Sequence, residues 1–120
     1  MKGVLVVDDR LPVPTLDAEL RRLVPLLAAA GAQRIILYGS CATRTCRPNS
    51  DLDLLVVVPE DGLSLPQRLG RLYARLSPAV PCDLLAYTPA ELDLLRGTPL
   101  VEAAMRSGRT VYASEESAGT

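Results

Sequence analysis

The chain has 120 residues, 48% of them hydrophobic, with 13 basic against 14 acidic side chains and a formal charge of -1. That length suits a single domain spanning 1–120, and the apolar content excludes a disordered chain. The even charge balance argues against a protein that coats phosphate backbones, and four aromatics, all tyrosine, argue against a stacking platform for single-stranded nucleic acid.

Val4 to Val7 is a four-residue apolar run that suits a short strand and is too short for a signal or a membrane span. Thr15 is the expected cap of a helix reaching about Ala30, with Leu16, Leu20, Leu23, Val24 and Leu27 at helical spacing on one face. Pro25 inside that pattern predicts a kink or an early break, and Gly31 supplies a left-handed stop. Arg34 to Tyr38 (RIILY) reads as a buried strand, ended by Gly39 and Ser40. Residues 41–46 suit a short helical turn, followed by a loop at Pro48, Asn49 and Ser50.

Asp51 to Val58 (DLDLLVVV) reads as a central strand opened by two acids. A helix follows over Leu65 to Leu76, with Leu65, Leu69, Leu72, Tyr73 and Leu76 on its buried face. Arg68, Arg71 and Arg75 are assigned to a different, solvated face. Pro78 and Pro81 bracket a turn into a strand from Cys82 to Tyr87. Pro89 starts a helix, another runs from Pro99 to Ser107, and Gly108 closes it ahead of a last strand from Arg109 to Ala113. The polar tail, about 114–120, is expected to fray. The order predicts an α/β (α+β) domain with a small mixed β-sheet flanked by helices.

The chain contains no histidine, which excludes Ser-His-Asp and Cys-His catalysis and argues against a zinc site. Three cysteines (Cys41, Cys46, Cys82), with no CxxC and no signal peptide, suit a reducing cytoplasm.

The chemistry concentrates in LYGSCATRTCRPNSDLDLLVV, residues 37–57. Backbone N–H groups at a strand-to-turn junction such as Gly39-Ser40 suit a phosphate. Asp51 and Asp53, two apart on a strand, share a face, and their repulsion calls for a cation such as Mg²⁺. Asp83, an acid within the apolar stretch VPCDLLAY, needs a partner if buried, and a strand beside 51–58 would bring it to the same place. Each piece alone is also consistent with an ordinary turn or a solvated strand end.

Together, Gly39, Ser40, Asp51, Asp53 and Asp83 resemble the pattern of the nucleotidyltransferase superfamily typified by DNA polymerase β, and within it the minimal, stand-alone members. The stretch PCDLLAYTPAELDLLRGTPLVEAAMRSGRTVYA is similar to the end of these small proteins. The resemblance implies a polymerase β-like nucleotidyltransferase fold. It also implies two Mg²⁺ ions (Mn²⁺ as the substitute) about 3.5–4 Å apart, held by Asp51, Asp53 and Asp83. Gly39 and Ser40 would hold the β- and γ-phosphates of ATP or another nucleoside triphosphate, and Asp83 would take a proton from the acceptor hydroxyl.

One departure stands out. Arg44 occupies a place where members commonly have glycine, and Arg44 and Arg47 are candidates to contact phosphate. Small members resemble the antitoxin of two-gene modules, in which AMP is transferred to a hydroxyl of a HEPN toxin. That implies a protein partner; the short apolar runs argue against a membrane, and the charge balance argues against nucleic acid. A non-catalytic antitoxin acting by complex formation, and a transferase acting on a small molecule such as an aminoglycoside, are the alternatives.

Overall fold

A computed structural model describes residues 3–5 and 10–114, with the side chains described from Arg10 onward. The elements in chain order are β1 (Gly3–Leu5), α1 (Pro14–Ala29), β2 (Arg34–Tyr38), a 3-10 turn (Gly39–Cys41), β3 (Leu52–Val57), α2 (Leu65–Leu76), β4 (Cys82–Tyr87), α3 (Pro89–Leu94), α4 (Pro99–Ser107) and β5 (Arg109–Ser114). The five strands form one mixed sheet in the order β1-β5-β2-β3-β4, and only β3 and β4 run parallel. The parallel pair is joined through α2, as a parallel connection requires.

Helices cover both faces of the sheet. Alternation along β3 sends Leu52, Leu54 and Val56 into a core with α1 and α2, and Leu55 and Val57 into a second core with Leu92 of α3 and Val101 and Ala104 of α4. β3 is therefore apolar on both sides, which is why it reads as a continuous hydrophobic run. No helix among the described residues is long and apolar enough to cross a membrane.

Three local features differ from the sequence expectations. The cap of α1 is Val13, which makes no side-chain capping bond, and the helix starts on Pro14; Thr15 already lies inside it. Proline at the first position needs no N–H partner and presets the helical φ, so it opens the helix without a capping hydroxyl. Pro25 does not break α1, which continues to Ala29. Leu23, Val24 and Leu27, all at most 1% exposed, straddle it, and their burial offsets a proline cost of about 3 kcal/mol. β5 extends through Ser114, which pairs with Gly3, so residue 114 belongs to the sheet; residues 115–120 and the 6–7 part of the first expected strand lie outside the described residues.

The expected stop at Gly31 is present, with φ +103°. The Gly31 N–H donates to the Ala28 carbonyl and the Ala32 N–H to the Leu27 carbonyl, closing α1 with a Schellman motif.

The basic stripe on α2 also needs correcting. Arg71 and Arg75 are exposed, but Arg68 is 3% exposed. Its guanidinium binds Asp61 at 2.8 Å, Glu91 at 2.6 Å and the Ala86 carbonyl at 2.9 Å. Arg68 lies three residues after Leu65 and four before Leu72, within the apolar stripe itself. Its burial is tolerated because two carboxylates neutralise it.

Candidate functional site

The site forms where β2 ends and β3 and β4 begin. In the sheet register Tyr38 lies opposite Asp53, and Asp53 lies opposite Asp83. Residues alternate strictly along each strand, so the three side chains share one face, the face of α3 and α4. Asp51 precedes β3 by one residue and is exposed. Asp53 is half-buried, and Asp83 is exposed at the start of the edge strand β4. Asp83 therefore needs no partner on grounds of burial, because an edge-strand entrance leaves it open to solvent.

Electrostatics register the crowding. Burial, then the charge of Asp83, then that of Asp51, push the Asp53 carboxyl up to about 6. Cys82, next to Asp83, is pushed up to about 11 by burial and then by Asp53 and Asp83. Two carboxylates acting on a third form a donor set of hard oxygens, the kind that suits a hard divalent cation. Among the described residues, no group of three or more His, Cys, Asp or Glu side chains has the spacing of a preformed metal site. The carboxylates offer the hard oxygens that suit a divalent cation, but do not stand as a preformed metal site.

Gly39 sits against this group. Its φ is +73°, and a methyl built on it would overlap the Asp53 carboxylate oxygen Oδ2. Only glycine meets both conditions, the left-handed backbone and the missing side chain. The turn that follows is cross-tied: Thr45 N–H donates to the Ser40 carbonyl at 2.9 Å, as does the Thr43 hydroxyl at 3.2 Å. Behind it Cys41, fully buried, points its thiol at the Asp51 carbonyl, 3.8 Å away. The turn and the first acid are thereby joined.

Arg44 adopts φ +62°, the left-handed conformation that a glycine would take without cost. The glycine-like path is kept despite the side chain. The Arg44 guanidinium donates to the Arg10 carbonyl at 2.9 Å. Arg47 is exposed, and its backbone N–H donates to the Ser50 hydroxyl at 2.8 Å. Gly39, Asp51, Asp53 and Asp83 therefore come together, with half-buried Ser40 beside them, while the Arg44 side chain is engaged with the segment before α1.

Two tyrosines that sequence reasoning did not single out frame the site. Tyr73 of α2 donates its hydroxyl to the Cys82 carbonyl and accepts the Leu84 N–H, both at 2.9 Å. It brackets the backbone on either side of Asp83. Tyr38, 8% exposed, belongs to the same face as the acids. Nothing in the pattern distinguished either from a core aromatic, since both fall at apolar positions of regular elements.

Comparisons with known proteins bear on the family and the fold. The family model described as "Nucleotidyltransferase domain" matches residues 16–108. A solved structure described as a minimal nucleotidyltransferase is 29% identical, covering 80% of this chain and 92% of that chain with a TM-score of 0.53. A toxin-antitoxin crystal structure with AMP-PNP aligns at 22% identity over 80% of this chain and 74% of that chain, with a TM-score of 0.51, and is similar in fold. A search of curated proteins found no match.

Proposed function

This chain belongs to the nucleotidyltransferase domain family, and on that premise we propose that it moves AMP from ATP onto a hydroxyl of a partner protein, a HEPN-type toxin, and so acts as an antitoxin. The observation that carries the reading is the row of Asp53 and Asp83 in register, with Asp51 one residue before β3 and Gly39 pressed against Asp53. Magnesium, or manganese in its place, would there neutralise the triphosphate and lower the pKa of the attacking hydroxyl.

In this reading Asp51, Asp53 and Asp83 hold the cations. Gly39 lets the triphosphate approach the backbone of the turn, and Ser40 offers it a hydroxyl. The acceptor oxygen forms a bond to the α-phosphorus as the bond to the bridging oxygen breaks, and pyrophosphate leaves. The acceptor proton passes to the exposed carboxylate of Asp83. The chain contributes position and charge, so each acid is expected to matter greatly. Support for the nucleotide and for a toxin partner comes from the fold relative crystallised as a toxin-antitoxin with AMP-PNP.

Incubation with α-labelled ATP, Mg²⁺ and the product of the neighbouring gene tests the proposal. Label should pass to the partner with the wild-type chain and be lost with Asp51→Asn or Asp53→Asn. A tight complex that carries no label, and is indifferent to both substitutions, would instead make the chain a binding antitoxin. Label that appears only with an aminoglycoside would move the acceptor to a small molecule.

A further inference from the structure

Among the described residues, the Tyr38 hydroxyl is the one buried side-chain oxygen or nitrogen without a hydrogen-bond partner. Its ring sits in the apolar layer with Ile36, Leu55, Leu92 and Val101. On that face the next side chain across the sheet is Asp53, and the one after it is Asp83. Burial first, then the charge of Asp83, then that of Asp53, hold the phenol above its ordinary pKa, so it is a neutral donor at physiological pH. Buried hydroxyls are nearly always satisfied, and Tyr73 in this same protein is satisfied twice. Carboxylates that ligate a metal are themselves usually oriented by an outer hydrogen bond.

We propose that Tyr38 is a positioning residue, whose hydroxyl donates to the Asp83 carboxylate when nucleotide and cation load, fixing that carboxylate toward the cation. Asp83 is exposed and in register with Asp53, so a change of its side-chain rotamer is sterically open. Tyr38 acts through Asp83 and touches neither substrate nor cation, its oxygen being buried. The inference rests on the transferase reading above.

The test uses the full chain and its Tyr38→Phe variant, which keeps the ring and removes only the oxygen. Two quantities are read: the thermal midpoint without ligand, and the affinity for Mn²⁺ in the presence of a non-hydrolysable ATP analogue, by calorimetry. The expected result is a midpoint equal to or above wild type, with Mn²⁺ affinity weakened about tenfold. Tyr73→Phe, which removes a hydroxyl with two partners, should lower the midpoint. A Tyr38→Phe midpoint that drops as that of Tyr73→Phe does would give the hydroxyl a structural partner and overturn the proposal. Unchanged Mn²⁺ affinity in Tyr38→Phe, with wild-type binding that Asp53→Asn abolishes, would overturn the role of Tyr38 and leave the transferase reading standing. Absence of Mn²⁺ binding to the wild type would overturn both.

Discussion

Gly39 is held at φ +73° with its α-carbon against the carboxylate of Asp53. Gly39→Ala therefore carries two penalties, a strained backbone and a methyl in the space of an oxygen, together on the order of 2–4 kcal/mol. Denaturant unfolding should show that loss, and Asp53→Ala added to Gly39→Ala should recover part of it by vacating the space. If the two losses simply add, the close approach is not the cause. Arg44 gives the opposite case. It stands at φ +62°, so Arg44→Gly should stabilise the ligand-free chain by about 0.5–1 kcal/mol, even though it removes the exposed bond to the Arg10 carbonyl. A loss of stability would mean that this bond outweighs the backbone strain.

At the level of elements, α2 performs two tasks that its position in the sequence only partly reveals. Its Tyr73 ties the edge strand on both sides of Asp83, and its Arg68 joins Asp61 before the helix to Glu91 of α3. Removing Arg68 leaves Asp61 and Glu91 without their shared cation and vacates a buried side chain, so Arg68→Ala is expected to lower stability in denaturant unfolding. The hydrogen bond from Arg68, then that from the Leu63 N–H, hold Asp61 down from 3.8 to about 2. A folded pKa below the unfolded one adds stability above about 3.8, and that stability is lost as the pH falls from there through about 2. Wild type should therefore exceed Asp61→Asn in stability at pH 7, with the gap closing over that acid window. A gap that stays constant with pH would remove the ionised pair as its cause.

The bounds of β2, α2 and β4 were legible because each is a compact apolar or amphipathic run ended by Gly or Pro. Arg68 was not, because its charge suggested solvent while its helical position pointed inward. The continuity of α1 through Pro25 was not legible either, since it depends on tertiary burial of Val24 and Leu27 rather than on local preference.

On the scale of the whole molecule, the topology determines which end of the sheet can do chemistry. The antiparallel β2-β3 pair and the parallel β3-β4 pair bring the end of β2 and the starts of β3 and β4 to one edge. The spacing of Asp51 and Asp53 could be read from the chain, and so could an acid at 83. Their convergence was expected only if the strand carrying Asp83 lay beside 51–58, and the parallel register of β4 on β3 meets that condition. The opposite end, around Pro59, Asp61 and Leu63, forms a pocket with exposed Arg71 and Arg75 in its lining, the natural competitor for a phosphate-bearing ligand. A crystal grown with Mn²⁺ and a non-hydrolysable ATP analogue, with data collected at the manganese absorption edge, separates the two ends. Anomalous density within coordination distance of Asp51, Asp53 and Asp83, with the triphosphate along residues 39–40, is the predicted result. Nucleotide seated instead by Arg71 and Arg75, with no manganese at the three acids, would contradict it.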